Sequence, residues 1–172
     1  MNEALRLLLA KATTSRPWRR VLNMVLWQTI PFNAPHRLTV TELSANAITV
    51  VLPYRRSNRN HVRGLHACAL ATAAEYASGL VLLQMLQSTD YRLLMKSLHM
   101  DYHYQGREDA VVRFSLPFEW IRAEVIDPLS AQDAVVVSVQ AEVKDRSGNH
   151  LATARVAWQI KRWEAVGRPV SQ

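Results

Sequence analysis

Apolar residues recur at helical spacing near the start of the chain and then change to an alternating pattern. The spacing predicts a helix over residues 2–12 and a second helix that begins after Ser15, a residue able to cap it. Residues 38–53 alternate between apolar and polar positions, which predicts strands. A helical extension over residues 1–30 is therefore expected to precede the first strands.

The longest apolar segment lies in the middle of the chain. Residues 65–86 form one predicted helix that is apolar on every side, with Glu75 as its one carboxylate. A surface helix would show a polar face, so this helix needs other elements packed around it. A membrane span is the alternative by length, but a carboxylate at the bilayer centre costs about 3 kcal/mol. We therefore expect no membrane span.

Strand patterns dominate the second half of the chain. Strands are predicted over residues 91–104, 110–116, 134–143 and 151–163, with a short helical segment over 117–125. The first of these strands is predicted to place five apolar or aromatic residues on one face: Leu94, Leu98, Met100, Tyr102 and Tyr104. Helices grouped apart from antiparallel strands indicate an α+β fold, with a curved antiparallel sheet around the central helix. No internal boundary is visible, so residues 1–172 are expected to form a single domain.

The composition of the chain indicates which classes of partner and which cellular compartment to expect. The net charge of +7 and the isoelectric point near 10.1 favour an anionic partner, such as nucleic acid, a membrane surface or a phosphorylated ligand like coenzyme A. Nucleic acid is not expected, because zinc-ligand spacing, an aromatic RNA-binding strand and a basic recognition helix are all missing from the sequence. A single cysteine and the lack of a signal-peptide pattern predict a mature cytoplasmic protein.

Three residues at fixed spacing carry a resemblance to a known family. Asn60 lies six positions before His66, and Glu75 lies nine positions after it. This spacing and the order of elements resemble the hotdog-fold acyl-CoA thioesterases of the phenylacetate-pathway type, and within them a subfamily that has extra N-terminal helices. The hairpin VQAEVKDRSGNHLATARVAW resembles the last two strands of that family, so the resemblance spans roughly residues 30–162.

The resemblance implies a fold, an activity and a set of site residues. It implies a hotdog fold, hydrolysis of a coenzyme A thioester without a separate cofactor or metal, and a homodimer or dimer of dimers. Glu75, His66 and Asn60 are the expected catalytic residues. Burial should raise the pKa of the Glu75 carboxyl, which suits a general base near neutral pH. The backbone N–H groups of Ala67 and Cys68, at the start of the helix, are expected to bind the oxyanion.

The distance along the helix bears on how these residues could act together. Nine residues of helix rise about 13 Å, too far for His66 and Glu75 of one chain to contact the same thioester. Hotdog proteins are dimers with sites at the interface, so the resemblance implies that Glu75 of one subunit faces His66 of the other. A monomer is then expected to be inactive.

One departure from the family pattern motivates a second hypothesis. The family often has two glycines where this chain has Ala67 and Cys68, and glycine allows the closest approach of backbone to a thioester. A non-catalytic acyl-CoA-binding or structural hotdog protein is therefore the alternative.

Several candidate residues have simpler interpretations. Arg56, Arg59 and Arg63 could bind the phosphates of coenzyme A or could belong to a solvated basic loop. Glu75 could be a buried acid paired with an arginine, and Cys68 is interpreted as a small packed residue rather than a nucleophile. Three alternating polar residues of one strand could ligate a metal, but an outer polar sheet face is the preferred interpretation, and no metal is expected: His99, Asp101 and His103.

Overall fold

The chain folds into two N-terminal helices and a six-stranded sheet around one long helix. The computed structural model describes residues 3–86 and 90–166. In chain order the elements are α1 (Glu3–Thr14), α2 (Arg16–Thr29), β1 (Thr39–Leu43), β2 (Ala47–Leu52), α3 (Ala67–Leu86), β3 (Tyr91–Tyr102), β4 (Ala110–Ser115), α4 (Phe118–Ile121), α5 (Asp127–Ala131), β5 (Ala134–Asp145) and β6 (His150–Arg162). The predicted α+β fold class is confirmed.

The order of the strands in the sheet differs from their order in the chain, because α3 connects two strands that are not neighbours. The strands lie in the order β1-β2-β4-β5-β6-β3, and each neighbouring pair is antiparallel. Helix α3 connects β2 to β3, the strand at the far edge, and its main strand contacts are with β2, β3, β4, β5 and β6. Most of its surface is therefore buried, as its apolar sequence predicted.

Close packing between α3 and β6 fixes the helix against the sheet. The indole of Trp158 is buried, and its Nε1–H donates a hydrogen bond of 3.1 Å to Oγ of Ser78. A Cβ at Gly79 would lie 3.0 Å from the Trp158 ring, closer than ordinary van der Waals contact. Glycine at this position therefore lets the helix approach the tryptophan.

The N-terminal helices are attached to the other edge of the sheet. The buried side chain of Asn23 on α2 bonds both backbone groups of Val40 on β1, at 3.0 and 2.8 Å. The indole N–H of Trp27 donates to the carbonyl of Leu38 at 2.7 Å. Helix α2 begins directly after Ser15, as predicted, and Ser15 is its N-cap residue, but the Ser15 side chain makes no capping hydrogen bond. The helix is held by its tertiary contacts instead.

Some side chains of strand β3 lie on a different face of the sheet from the one that the sequence predicted. The sequence pattern placed Leu94 on the same face as Leu98, but the pairing with β6 shifts by one residue between Met95 and Ser97. Such a bulge reverses the alternation of side chains beyond it. Leu94 and Leu98 consequently lie on opposite faces, and that part of the prediction is wrong.

Within residues 3–86 and 90–166, α3 has the length and apolar character that a membrane span requires. About 67% of its most apolar window is buried within the protein, as is usual for the central helix of a sheet-wrapped fold.

Candidate active site

A groove of about 860 Å³ runs along the side of α3 that the sheet leaves open. Its floor is a stripe of α3 residues three or four positions apart: Cys68, Thr72, Glu75 and Gly79. One wall is edge strand β3, including Leu93, Leu98 and Tyr102, and the other is the N-terminal region, including Leu5, Ile30, Phe32 and Asn33. Most of these side chains are apolar, so the groove suits an acyl group.

Glu75 places a carboxylate on the floor of this apolar groove. It is partly buried, and desolvation raises the pKa of its carboxyl. Within the described part of the chain, its carboxylate has no hydrogen-bond or ion-pair partner, so the alternative of a structural pair with an arginine finds no support there. The neighbouring Tyr76 is buried, and both its own desolvation and the charge of Glu75 raise the pKa of its phenol. A proton-accepting group of this kind can activate water.

The loop before α3 is fixed by a buried asparagine that sequence reasoning did not select. Asn58 is fully buried, and its amide bonds the carbonyls of His36 and Pro53, both at 2.9 Å. Its oxygen lies 3.0 Å from Nδ1 of His36, and its own carbonyl accepts the N–H of His66 at 2.8 Å. These bonds hold His66 at the start of α3. A lone asparagine in a basic loop carries no periodic signal, so the sequence could not identify it.

His66 caps the helix through its ring. Its Nδ1 accepts the backbone N–H of Cys68 at 3.1 Å, so the neutral imidazole carries its proton on Nε2. The side chain is exposed, and Nε2–H is therefore a donor available to a ligand. The Cys68 N–H is already used by this contact, whereas the N–H of Ala67 has no acceptor among the described residues.

Asn60 shapes the loop rather than the groove. Its Oδ1 accepts the backbone N–H groups of Val62 and Gly64, at 3.1 and 2.9 Å. Asn60 and His66 do not line the groove within one chain, whereas Cys68 and Glu75 do. The structure thus brings only part of the expected constellation together within one subunit.

Three arginines project from the same loop. Arg56, Arg59 and Arg63 are exposed, and within residues 3–86 and 90–166 none of them forms an ion pair. The guanidinium of Arg59 lies 5.3 Å from the ring centre of Tyr54, whose hydroxyl donates to the carbonyl of Arg63. These cations sit beside the start of α3, where the helix dipole adds to a positive potential.

Cys68 is exposed on the groove floor, so its interpretation as a packed small residue is wrong. The hydroxyl of Tyr102, across the groove on β3, donates to the carbonyl of Ala67 at 3.0 Å. Burial raises the pKa of this phenol, and nearby Cys68 adds to the shift. Sequence reasoning assigned no such role to Tyr102, because only the curvature of the sheet brings it to the helix start.

The three polar residues in and just after β3 that resembled a metal site contact neighbouring side chains instead. Asp101 pairs with Arg155 at 2.9 Å and with His99 at 3.2 Å, while His103 bonds the hydroxyl of Thr153 at 3.0 Å. Over the described residues, no cluster of three or more suitable side chains is arranged to hold a metal.

Comparison with known proteins identifies the family and the fold. The chain belongs to a family defined by a domain of unknown function (DUF4442), whose model matches residues 19–160. A solved Pseudomonas aeruginosa protein of unknown function, described as a probable thioesterase, is similar over 83% of this chain and 95% of its own, with a TM-score of 0.75 and 22% identity. A Haemophilus influenzae thioesterase is similar over 84% of this chain and 90% of its own, with a TM-score of 0.64 and 11% identity.

These identities are low enough that the similarity shows the fold alone, which confirms the predicted hotdog fold. No curated protein matches the chain significantly.

Proposed function

We propose that this protein is an acyl-CoA thioesterase that hydrolyses a coenzyme A thioester at a site shared between two subunits. The observation that carries the proposal is Glu75. It places a carboxylate of raised pKa, without an ion-pair partner in the described chain, on the floor of an apolar groove. The fold is also similar to the folds of a probable thioesterase and a thioesterase, which supports the reaction class.

Each subunit of the proposed dimer contributes different groups to one reaction site. Glu75 takes a proton from water, and the resulting hydroxide attacks the thioester carbonyl carbon. The developing oxyanion is stabilised by the backbone N–H of Ala67 and by Nε2–H of His66, both at the start of α3 in the partner subunit. When the tetrahedral intermediate collapses, the carbon–sulfur bond breaks, and the thiolate of coenzyme A takes the proton from Glu75. The products are a carboxylic acid and free coenzyme A, and no cofactor or metal takes part.

Self-association as a homodimer or dimer of dimers is part of this proposal. Strand β3 is an edge of the sheet, and it exposes Leu94 and Met95, at 48% and 45%. An exposed apolar edge strand favours pairing with a second strand. Pairing of two copies at this edge would bring a second α3 beside the groove, and thus place a helix start near Glu75, which lies about 13 Å along the helix from the start of its own α3.

The basic loop supplies the proposed contact with the rest of coenzyme A. Arg56, Arg59 and Arg63 have no competing acid among the described residues, so they are available to phosphate oxygens. A phosphorylated substrate also accounts for the net charge without a nucleic acid or a membrane partner. A cytoplasmic location, where coenzyme A esters are formed and the single thiol stays reduced, completes the proposal.

Hydrolysis of a panel of acyl-CoA esters by wild type and by Glu75→Gln tests the proposal. We expect release of free coenzyme A by wild type and a loss of at least about 100-fold in kcat for the variant, since a general base is removed. Glu119→Gln, which removes an exposed carboxylate of α4 that does not line the groove, serves as the matched control and should keep the wild-type rate. The proposal is wrong if no ester is hydrolysed, or if Glu75→Gln is as fast as wild type.

A non-catalytic acyl-CoA-binding protein is the second candidate, and two contacts favour it. The ring of His66 already occupies the Cys68 N–H, and the side-chain oxygen of Asn60 is used twice within its own loop. Fewer groups are then left for the transition state than in a site with two free N–H donors. Saturable binding of acyl-CoA without release of coenzyme A would identify this function.

A further inference from the structure

Several polar residues besides Glu75 line the groove, and one of them, Asn33, carries a side-chain amide. This residue lies in the short helical turn Pro31–His36 between α2 and β1, and it is only 4% exposed. Its backbone N–H bonds the carbonyl of Ile30 at 2.9 Å, but its side chain has no hydrogen-bond partner among the described residues. Asn33 lines the groove, so this unpartnered amide is next to the space where a ligand would lie.

The other two buried asparagines, in contrast to Asn33, make side-chain hydrogen bonds. Asn23, 5% exposed, makes two side-chain hydrogen bonds to Val40. Asn58, fully buried, makes three side-chain contacts with its surroundings. Both of these asparagines are satisfied by the protein, whereas Asn33 is not. Gln84, 5% exposed, also has no side-chain hydrogen bond among the described residues, but it does not line the groove. Buried polar groups without a protein partner are commonly satisfied by water or by a ligand.

The surroundings of Asn33 make a ligand the better explanation. Its neighbours on the same wall of the groove are apolar, including Leu5, Ile30 and Phe32. A hydrocarbon chain in the groove would displace water and leave the amide unpaired, which costs free energy. An acyl group with an oxygen at this point would replace the water by a direct hydrogen bond.

We propose that Asn33 is a specificity-determining residue that binds a hydroxyl or oxo oxygen on the acyl chain. This inference rests on the proposed function and names the substrate class of the same site: acyl-CoA esters whose acyl chain carries such an oxygen rather than a plain hydrocarbon chain. The amide nitrogen donates to an oxo or hydroxyl oxygen, and the amide oxygen accepts from a hydroxyl. A site built to pair with a substrate oxygen discriminates against the analogue that lacks it, because the site's own polar group is then left unpaired.

Octanoyl-CoA and its three derivatives with one hydroxyl at the third, fifth or seventh carbon provide the test. We expect at least one hydroxylated isomer to exceed octanoyl-CoA by about 10-fold in kcat/KM with wild-type protein. In Asn33→Leu, this ratio should fall to about one, since the leucine fills the space without a hydrogen-bonding group. Asn33→Ser, which keeps a shorter polar group, gives a second variant if the leucine variant does not fold, and it should give an intermediate ratio.

Phe32→Leu is the matched control, because it changes the adjacent wall residue without altering the amide, and the ratio should remain. If wild type hydrolyses these esters, the inference is overturned when it prefers no hydroxylated isomer, as expected if water or the second subunit satisfies Asn33 with every substrate. It is also overturned if Asn33→Leu and Asn33→Ser keep the wild-type preference.

Binding measured separately from turnover distinguishes this inference from the proposed function. Calorimetric titration of Glu75→Gln with octanoyl-CoA and with each hydroxylated isomer gives the ratio of Kd values without hydrolysis. The inference is supported if Asn33→Leu, added to Glu75→Gln, removes a binding preference for a hydroxylated ester. This support would hold even if wild type released no coenzyme A. That outcome would overturn only the thioesterase proposal. Hydrolysis of all four esters at equal rates and with equal Kd values would leave the thioesterase proposal intact and overturn the role of Asn33.

Discussion

The ring nitrogen Nδ1 of His66 lies 3.1 Å from the backbone nitrogen of Cys68 and accepts its N–H. This contact gives one histidine two separable properties. Its Nδ1 side stabilises the start of α3 as a helix cap, and its Nε2–H is left to interact with a ligand. A substitution that keeps the first property and removes the second can therefore separate stability from catalysis.

Replacing His66 by asparagine or by alanine makes this separation. Asparagine is a good capping residue, so the free energy of unfolding of His66→Asn should lie within about 0.5 kcal/mol of the wild-type value. The free energy of unfolding of His66→Ala should be lower by about 1 kcal/mol. Both variants lack the Nε2–H donor and should lose about 100-fold in kcat/KM. Urea unfolding and acyl-CoA hydrolysis measure the two effects. Full activity in His66→Asn would mean that the histidine acts only as a cap.

Glu75 gives a prediction about pH and stability. Desolvation raises its carboxyl pKa in the folded protein, so the folded state binds this proton more tightly than the unfolded state. The associated stabilisation is fully present below the ordinary carboxyl pKa and is lost as the pH rises through the raised value. Glu75→Gln has no titrating group at this position. Its free energy of unfolding, relative to wild type, should therefore increase as the pH rises through that interval.

Urea unfolding of both proteins at about pH 4 and about pH 8 brackets this interval. Glu119→Gln, an exposed carboxylate on α4, is a suitable control and should show no comparable trend. If the difference in free energy of unfolding between wild type and Glu75→Gln is the same at both pH values, or changes in the opposite direction, the raised pKa of Glu75 is contradicted.

The architecture could be predicted from the sequence because each element carries its own periodic signal. The apolar segment around Glu75 predicted a surrounded helix, and the alternation in the second half predicted the strands that surround it. The bulge after Met95 was not predicted, because an extra residue in a strand depends on pairing with β6 and leaves no mark in local hydrophobicity. Leu94 was therefore assigned to the wrong face.

The candidate site could be predicted only in part. Glu75 stood out because a carboxylate in an apolar segment is a chemical exception that the sequence itself displays. Asn33 and Tyr102 gave no such signal, since their place in the groove depends on how the N-terminal turn and edge strand β3 fold back beside α3. The exposure of Cys68 was missed for the same reason, because the open side of the helix is decided by the sheet and not by the helix sequence.

The arginine loop gives a prediction that depends on the phosphates of the substrate. Arg56→Ala, Arg59→Ala and Arg63→Ala, combined in one variant, should raise KM for an acyl-CoA by about 10-fold, since charge-assisted bonds to phosphate are lost. The same acyl group on pantetheine, which lacks these phosphates, should show no such change. Steady-state kinetics with the two thioesters measures the difference. Equal effects on both substrates, or none on either, would assign the arginines to a solvated surface loop.

The contact between Gly79 and Trp158 predicts the effect of a single methyl group. Alanine for glycine in a helix ordinarily stabilises by about 1 kcal/mol. Here the new Cβ would lie 3.0 Å from an indole held in place by Ser78. Overpacking costs about 1–3 kcal/mol, so Gly79→Ala should destabilise the protein by about 1 kcal/mol overall. In a Trp158→Phe background the same substitution should be neutral or stabilising, and a double-mutant cycle with urea unfolding measures the coupling.

A mixture of two inactive variants tests whether the site is shared between subunits. Within one chain Glu75 lies nine residues beyond His66, a rise of about 13 Å along α3, so each proposed site takes Glu75 from one subunit and His66 from the other. Random reassociation of Glu75→Gln with His66→Asn makes half of the dimers mixed. One of the two sites in each mixed dimer has both Glu75 and His66. A quarter of all sites is then intact, so we expect about a quarter of wild-type activity. Mixing after mild denaturation and renaturation, with each variant treated alone as the control, measures this recovery. If the mixture stays as inactive as its components although mixed dimers form, both residues act within one chain, and the arrangement across the interface is wrong.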